Sequence, residues 1–98
     1  MKKLEKIKKI IKEYKPVLED KFKVKEIGVF GSFVRGESGK DSDLDILVEF
    51  YEPIGIFAFL ELEEYLKKLL GVKKVDLVSK KALKPVIGKY ILKELVLV

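Results

Sequence analysis

Three short stretches of the chain hold residue types that could act on a phosphate. Gly31-Ser32 directly follows the compact apolar run Ile27-Gly28-Val29-Phe30. A glycine there lets backbone approach a ligand closely, a helix starting at that point turns unsatisfied N–H groups outward, and the Ser32 hydroxyl suits a phosphate oxygen. Taken alone, such a dipeptide is most often only a turn. Asp43-Leu44-Asp45 opens a run in which Leu44, Ile46, Val48 and Phe50 alternate with Asp45, Leu47 and Glu49, the period-two signature of a strand. Carboxylates at i and i+2 share one face, about 7 Å apart between Cα atoms, and repel each other unless a proton or cation intervenes. A pair of Mg²⁺ ions, each taking a few carboxylates plus substrate phosphates, matches such a cluster. The bland reading of the pair by itself is a solvated acidic turn from Asp41 to Asp45. The third stretch is Asp76, enclosed by Val75, Leu77 and Val78. Asp is disfavoured in strands and costly to bury without a partner, although a capping or salt-bridged structural Asp is the alternative. Three of the five Asp residues thus fall at two strand positions in a chain that otherwise uses Glu.

Composition narrows what else could act. The 98 residues include no Cys and no His, which removes disulfides, thiol nucleophiles, His-based triads and imidazole ligands. Catalysis must then run on carboxylates, Ser, Tyr, Lys or the single Arg35. No apolar run approaches the ~20 residues of a membrane span, and the basic start lacks a signal-peptide apolar core, so a cytoplasmic protein without a membrane partner is expected. Asn and Gln are absent while Lys and Glu dominate, the usual hyperthermophile bias. The net charge of +5 is unevenly spread: residues 1–25 carry ten Lys against four acids, residues 79–98 carry five Lys against Glu94 alone, and the centre is acidic. Basic ends could attract a polyanion, but a Lys-rich helix reads first as a solvated face. Without an aromatic-plus-basic strand platform, nucleic acid is not the expected partner.

The elements that must position these residues follow from spacing. Leu4, Ile7, Ile10, Ile11 and Tyr14 predict an amphipathic helix over 2–14. Pro16 is expected to break it and to open a second short helix to about Phe22. Ile27 to Phe30, Leu44 to Phe50 and Val75 to Val78 predict three strands. Residues 36–42 read as a loop. Ile56 to Leu70 reads as a helix with Phe59, Leu60, Leu62, Leu66, Leu69 and Leu70 as core candidates and Gly71 as its C-cap. Ser79 is placed to cap a last helix running through Leu83, Val86, Ile87, Tyr90, Ile91 and Leu95. The expected architecture is α+β: one domain over residues 1–98, a small mixed three-stranded sheet packed with helices in the order α-β-α-β-α-β-α.

Gly31-Ser32, ten residues, then Asp43-x-Asp45, with a later strand-borne Asp76, resembles the DNA polymerase beta-type nucleotidyltransferase superfamily. The stretches Phe30 to Glu37, Ser42 to Phe50, Leu70-Gly71, Val75 to Val78, Lys84-Pro85 and Ile91-Leu92 resemble its minimal nucleotidyltransferase branch, so the likeness spans nearly the whole chain. The resemblance implies a two-layer nucleotidyltransferase fold. It implies that Asp43, Asp45 and Asp76 hold two Mg²⁺ ions, that Asp76 helps activate an attacking hydroxyl, and that Gly31 and Ser32 grip the triphosphate of ATP with Arg35 assisting. Phosphoryl-type transfer needs positioning and charge neutralisation more than covalent chemistry, so such a site suffices without His. Lys40, Lys80 and Lys84 are further candidates for positive charge near the nucleotide. Relatives with this motif set resemble antitoxins that transfer AMP to a tyrosine of a HEPN ribonuclease toxin. The length leaves no room for an added helical domain, so the acceptor is expected to dock on the catalytic domain itself or on a partner. The alternative is a binding-only antitoxin that masks its toxin, with a vestigial nucleotide site. A homodimer and a hetero-oligomer with the toxin are both compatible with the sequence.

Overall fold

The computed structural model of the protein describes residues 3–37 and 43–98. Lys40, Asp41 and Ser42 lie outside the described residues.

The first helix, α1 (Lys3–Phe22), runs straight through Pro16 instead of dividing there. The missing N–H and ring clash of an interior proline cost about 3 kcal/mol. Against this, Ile7, Ile11, Leu18 and Phe22 form one buried stripe along both halves of the helix, and each such side chain contributes about 1.5–3 kcal/mol when removed from water. The stripe outweighs the break because it is continuous only if the helix is. Lys23, at φ 60°, turns the chain out of α1, and its N–H donates to Glu19 O at 3.0 Å.

Strand β1 (Val24–Phe30) leads through Gly31 into a single helical turn, α2 (Ser32–Arg35). Strand β2 (Leu44–Phe50), helix α3 (Ile56–Leu70), strand β3 (Val75–Ser79) and a 3-10 turn at Lys80–Ala82 follow, then helix α4 (Pro85–Glu94) and strand β4 (Val96–Leu97). The sheet has four strands in the order β3-β2-β1-β4. It is mixed, with β2 and β3 parallel and β1 antiparallel to both β2 and β4.

The fourth strand corrects the expected count of three. Only two residues long, it has no periodicity of its own, and Gly28 explains why it can form. A Cβ at Gly28 would come within 2.7 Å of the Leu95 side chain and 2.9 Å of Val96 O, so glycine is what lets the C-terminal segment close onto β1. The last helix is also corrected. It begins at Pro85, not at Ser79, which makes no side-chain capping bond. Proline fits the first helical position and disfavours helical geometry in the residue before it.

One face of the sheet packs against α1 and α3. Ile27, Val29, Leu44, Ile46, Val48 and Val75 are buried there with Ile11, Leu18, Leu62 and Leu66. The spans of β2 and of α3 up to Gly71 are as expected from spacing, but the alternation along β2 is incomplete, since Leu47 is buried and Phe50 only partly so. Leu60, expected in the core, is half exposed, and Val86, Ile87 and Tyr90 are exposed as well. Helix α4 therefore does not bury its apolar stripe. Among the described residues, no helix is long and apolar enough to cross a membrane.

Candidate active site

Register brings the singled-out residues to one level. Phe30 pairs with Asp45 across β1 and β2, and Asp45 pairs with Asp76 across β2 and β3. The end of β1 and the starts of β2 and β3 thus share one edge, and the Gly31 turn sits directly beside Asp45. Gly31 is required on two counts. Its φ of 80° lies in the left-handed half of the map, and a Cβ there would run into the Asp45 carboxylate. Gly31 O accepts from the Val34 N–H at 3.0 Å and the Arg35 N–H at 3.2 Å, which winds α2 and brings Arg35 back toward the same edge.

The carboxylates differ in their surroundings. Asp45 is partly buried, and its pKa is pushed up to about 6. Loss of hydration is the largest cause, followed by the negative charges of Asp76 and Asp43 and a hydrogen bond shared with Asp76; the Arg35 cation opposes them. Asp76 is exposed, although Val75 and Leu77 on either side are buried. The expected burial cost at Asp76 therefore does not arise. Asp43 sits just before β2 and leans toward Lys74, with Nζ at 3.5 Å from its Oδ2.

Asp45 and Asp76 are brought into contact, whereas Asp43 is near enough to raise the Asp45 pKa but is partnered elsewhere. Among the described residues, no three carboxylates converge as a preformed metal cage. The donor set nonetheless fits a hard divalent cation. It is all oxygen, and its central carboxylate is held in excess negative charge that either a proton or a cation relieves.

Two of the lysines singled out as neighbours for a nucleotide are placed. Lys80 pairs with Glu49 at 3.5 Å, toward the far end of β2, and Lys84 lies at the N-terminus of α4. A cavity of about 840 Å³ is also at that far end, lined in part by Phe50, Tyr51, Phe59 and Lys80. Five residues of strand separate Phe50 from Asp45, about 16 Å at normal rise, and none of Asp43, Asp45 and Asp76 lines this cavity.

Sequence reasoning missed Glu94. Its Oε1 accepts from the Gly31 N–H at 2.6 Å and from Arg35 Nη1 at 3.0 Å. The only signal was that Glu94 is the single acid among five Lys in residues 79–98.

The mixed sheet presents two strand-borne aspartates, Asp45 and Asp76, beside the Gly31 turn, an all-oxygen arrangement suited to chemistry at a phosphate. Residues 4–98 match the nucleotidyltransferase domain, and the chain belongs to that family. It is 54% identical over 95 residues to the protein adenylyltransferase MntA of Thermococcus cleftensis, spanning 97% of this chain and 95% of that protein. A solved structure described as a minimal nucleotidyltransferase is similar at a TM-score of 0.73 and 35% identity, covering 92% of this chain and 93% of the other. A toxin–antitoxin structure with AMP-PNP is similar at a TM-score of 0.70 and 27% identity, covering 95% of this chain and 69% of that one. The protein is thus a nucleotidyltransferase, with an α+β fold whose sheet has four strands.

Proposed function

We propose that the protein is an antitoxin that transfers AMP from ATP to a tyrosine hydroxyl of a HEPN ribonuclease toxin in a Mg²⁺-dependent reaction. The observation that carries this reading is the row of Gly31, Asp45 and Asp76 at one end of the sheet, with crowded negative charge at Asp45 beside the Gly31 turn. The similarity to an MntA protein adenylyltransferase and to a toxin–antitoxin structure with AMP-PNP supports the nucleotide and the partner class.

In this reaction the tyrosine oxygen attacks the α-phosphorus and forms the new P–O bond. The bond from the α-phosphorus to the bridging oxygen breaks, and pyrophosphate leaves with the bonding pair. Gly31 N–H, the Ser32 hydroxyl and the Arg35 guanidinium hold the phosphate tail and so align the bond that breaks. Asp76, exposed at the start of β3, would help activate the attacking hydroxyl by receiving the phenolic proton and passing it to solvent. Asp43, Asp45 and Asp76 would hold two Mg²⁺ ions, which supply charge neutralisation at the α-phosphate and the leaving group.

The test incubates the protein with α-labelled ATP, Mg²⁺ and the toxin encoded beside it. Label on a toxin tyrosine, lost on omission of Mg²⁺ and in Asp45→Asn, is the expected result. If the toxin stays unlabelled while the protein binds neither nucleotide nor metal, the enzymatic reading is lost.

A further inference from the structure

The Glu94 carboxylate lies on the same turn that the proposed function assigns to the phosphate tail. Oε1 takes the Gly31 N–H at 2.6 Å, and both Oε1 and Oε2 lie 3.0 Å from Arg35 Nη1. These contacts span 63 and 59 residues of chain, so they are tertiary, not local. The segment that follows fixes where Glu94 sits: Leu95 lies over Gly28, and Val96 pairs with Val29. The carboxylate is therefore delivered to the turn by the closing of α4 and β4 onto β1. A two-oxygen anion seated on a backbone amide and a guanidinium uses the donors a phosphate would use.

We infer that Glu94 is an internal occupant of the phosphate-binding turn, and that the terminal phosphates of a nucleotide must displace it. The inference rests on the proposed role of Gly31 and Arg35. It adds that the nucleotide-free chain is self-blocked, so apparent affinity is lowered by the fraction of molecules in which Glu94 is seated. Glu37 also touches Arg35, at 3.2 Å, but it is more exposed than Glu94. It serves as the natural comparison.

The test measures, by calorimetry with Mg²⁺, the affinity for an ATP analogue carrying a methylene bridge between the α- and β-phosphorus. Wild type, Glu94→Gln, Glu94→Asp and Glu37→Gln are compared, with thermal melts confirming that each is folded. Both Glu94 variants bind about tenfold more tightly, as expected when a competing state is removed. The Asp variant keeps the charge but falls one methylene short of the turn. Glu37→Gln changes affinity far less, and AMP, which lacks the terminal phosphates, binds all four alike. Tightening in Glu94→Gln but not in Glu94→Asp would reduce the effect to net charge and overturn the inference. Unchanged or weaker binding in both Glu94 variants would make Glu94 a support for the turn and overturn it too, with the nucleotide reading intact. If wild type and all variants fail to bind the analogue, the assignment of the turn itself fails.

Discussion

The two faces of one sheet obey different rules. On the face toward α1 and α3, Ile46 and Val48 are completely buried among Ile11, Leu18, Leu62 and Leu66. On the opposite face the same strand carries Asp45, held against Asp76, beside a glycine in left-handed geometry and a carboxylate from α4. Neighbouring residues of β2 thus belong to different regimes. The first face follows burial and periodicity, and the second tolerates like-charge crowding that the first face stabilises. Stability and chemistry should therefore separate cleanly by substitution.

The largest effect separates them from the chemical side. Asp45→Asn should lower AMP transfer by about 10²–10⁴-fold, the range for removing a group that acts on transition-state charge or protons. The melting temperature should not fall, because a repelled carboxylate is removed. If Asp43→Ala/Asp45→Ala still neutralised the toxin at sub-stoichiometric amounts as well as wild type, catalysis would be irrelevant and masking would replace it. One position along, Ile46→Ala should cost about 2–5 kcal/mol in denaturant unfolding, while the folded fraction keeps its transfer rate per molecule. Equal loss of rate there would show that the two faces are coupled.

Gly31→Ala lies between the two regimes. The positive φ and the close Asp45 carboxylate should cost about 1–3 kcal/mol of stability, and nucleotide binding should weaken with it. The smallest effect is the pH dependence of Asp45. Its folded pKa, about 6, exceeds the ordinary 3.8, so the fold favours the protonated carboxyl. That contribution is complete below about pH 4 and is lost as pH rises through about 6. Asp45→Asn should therefore raise the melting temperature by roughly 2–4 °C at pH 8, since the site is largely open to solvent screening, and by nothing at pH 3.5. A gain that persists unchanged at pH 3.5 would contradict this origin.

Legibility followed the same division. The extents of β2 and α3 are local patterns, and they survive into the structure. That Asp45 stands opposite Asp76 is implied by the family resemblance and not by any local spacing. What stayed hidden depends on contacts between distant parts of the chain. Pro16 reads as a break until the stripe from Ile7 to Phe22 finds the sheet. Val96-Leu97 becomes a strand only because Gly28 leaves room for it. Glu94 reaches the turn by the same closure, and the lean of Asp43 toward Lys74 depends on where β3 begins.

The most direct test of the carboxylate site is Mn²⁺ binding at pH 7.5 in the presence of the α,β-methylene ATP analogue, followed by electron paramagnetic resonance in wild type and Asp45→Asn. The account predicts bound Mn²⁺ in wild type, weakened when the pH is taken well below 6 and lost in Asp45→Asn. Equal Mn²⁺ binding by the two proteins would contradict it.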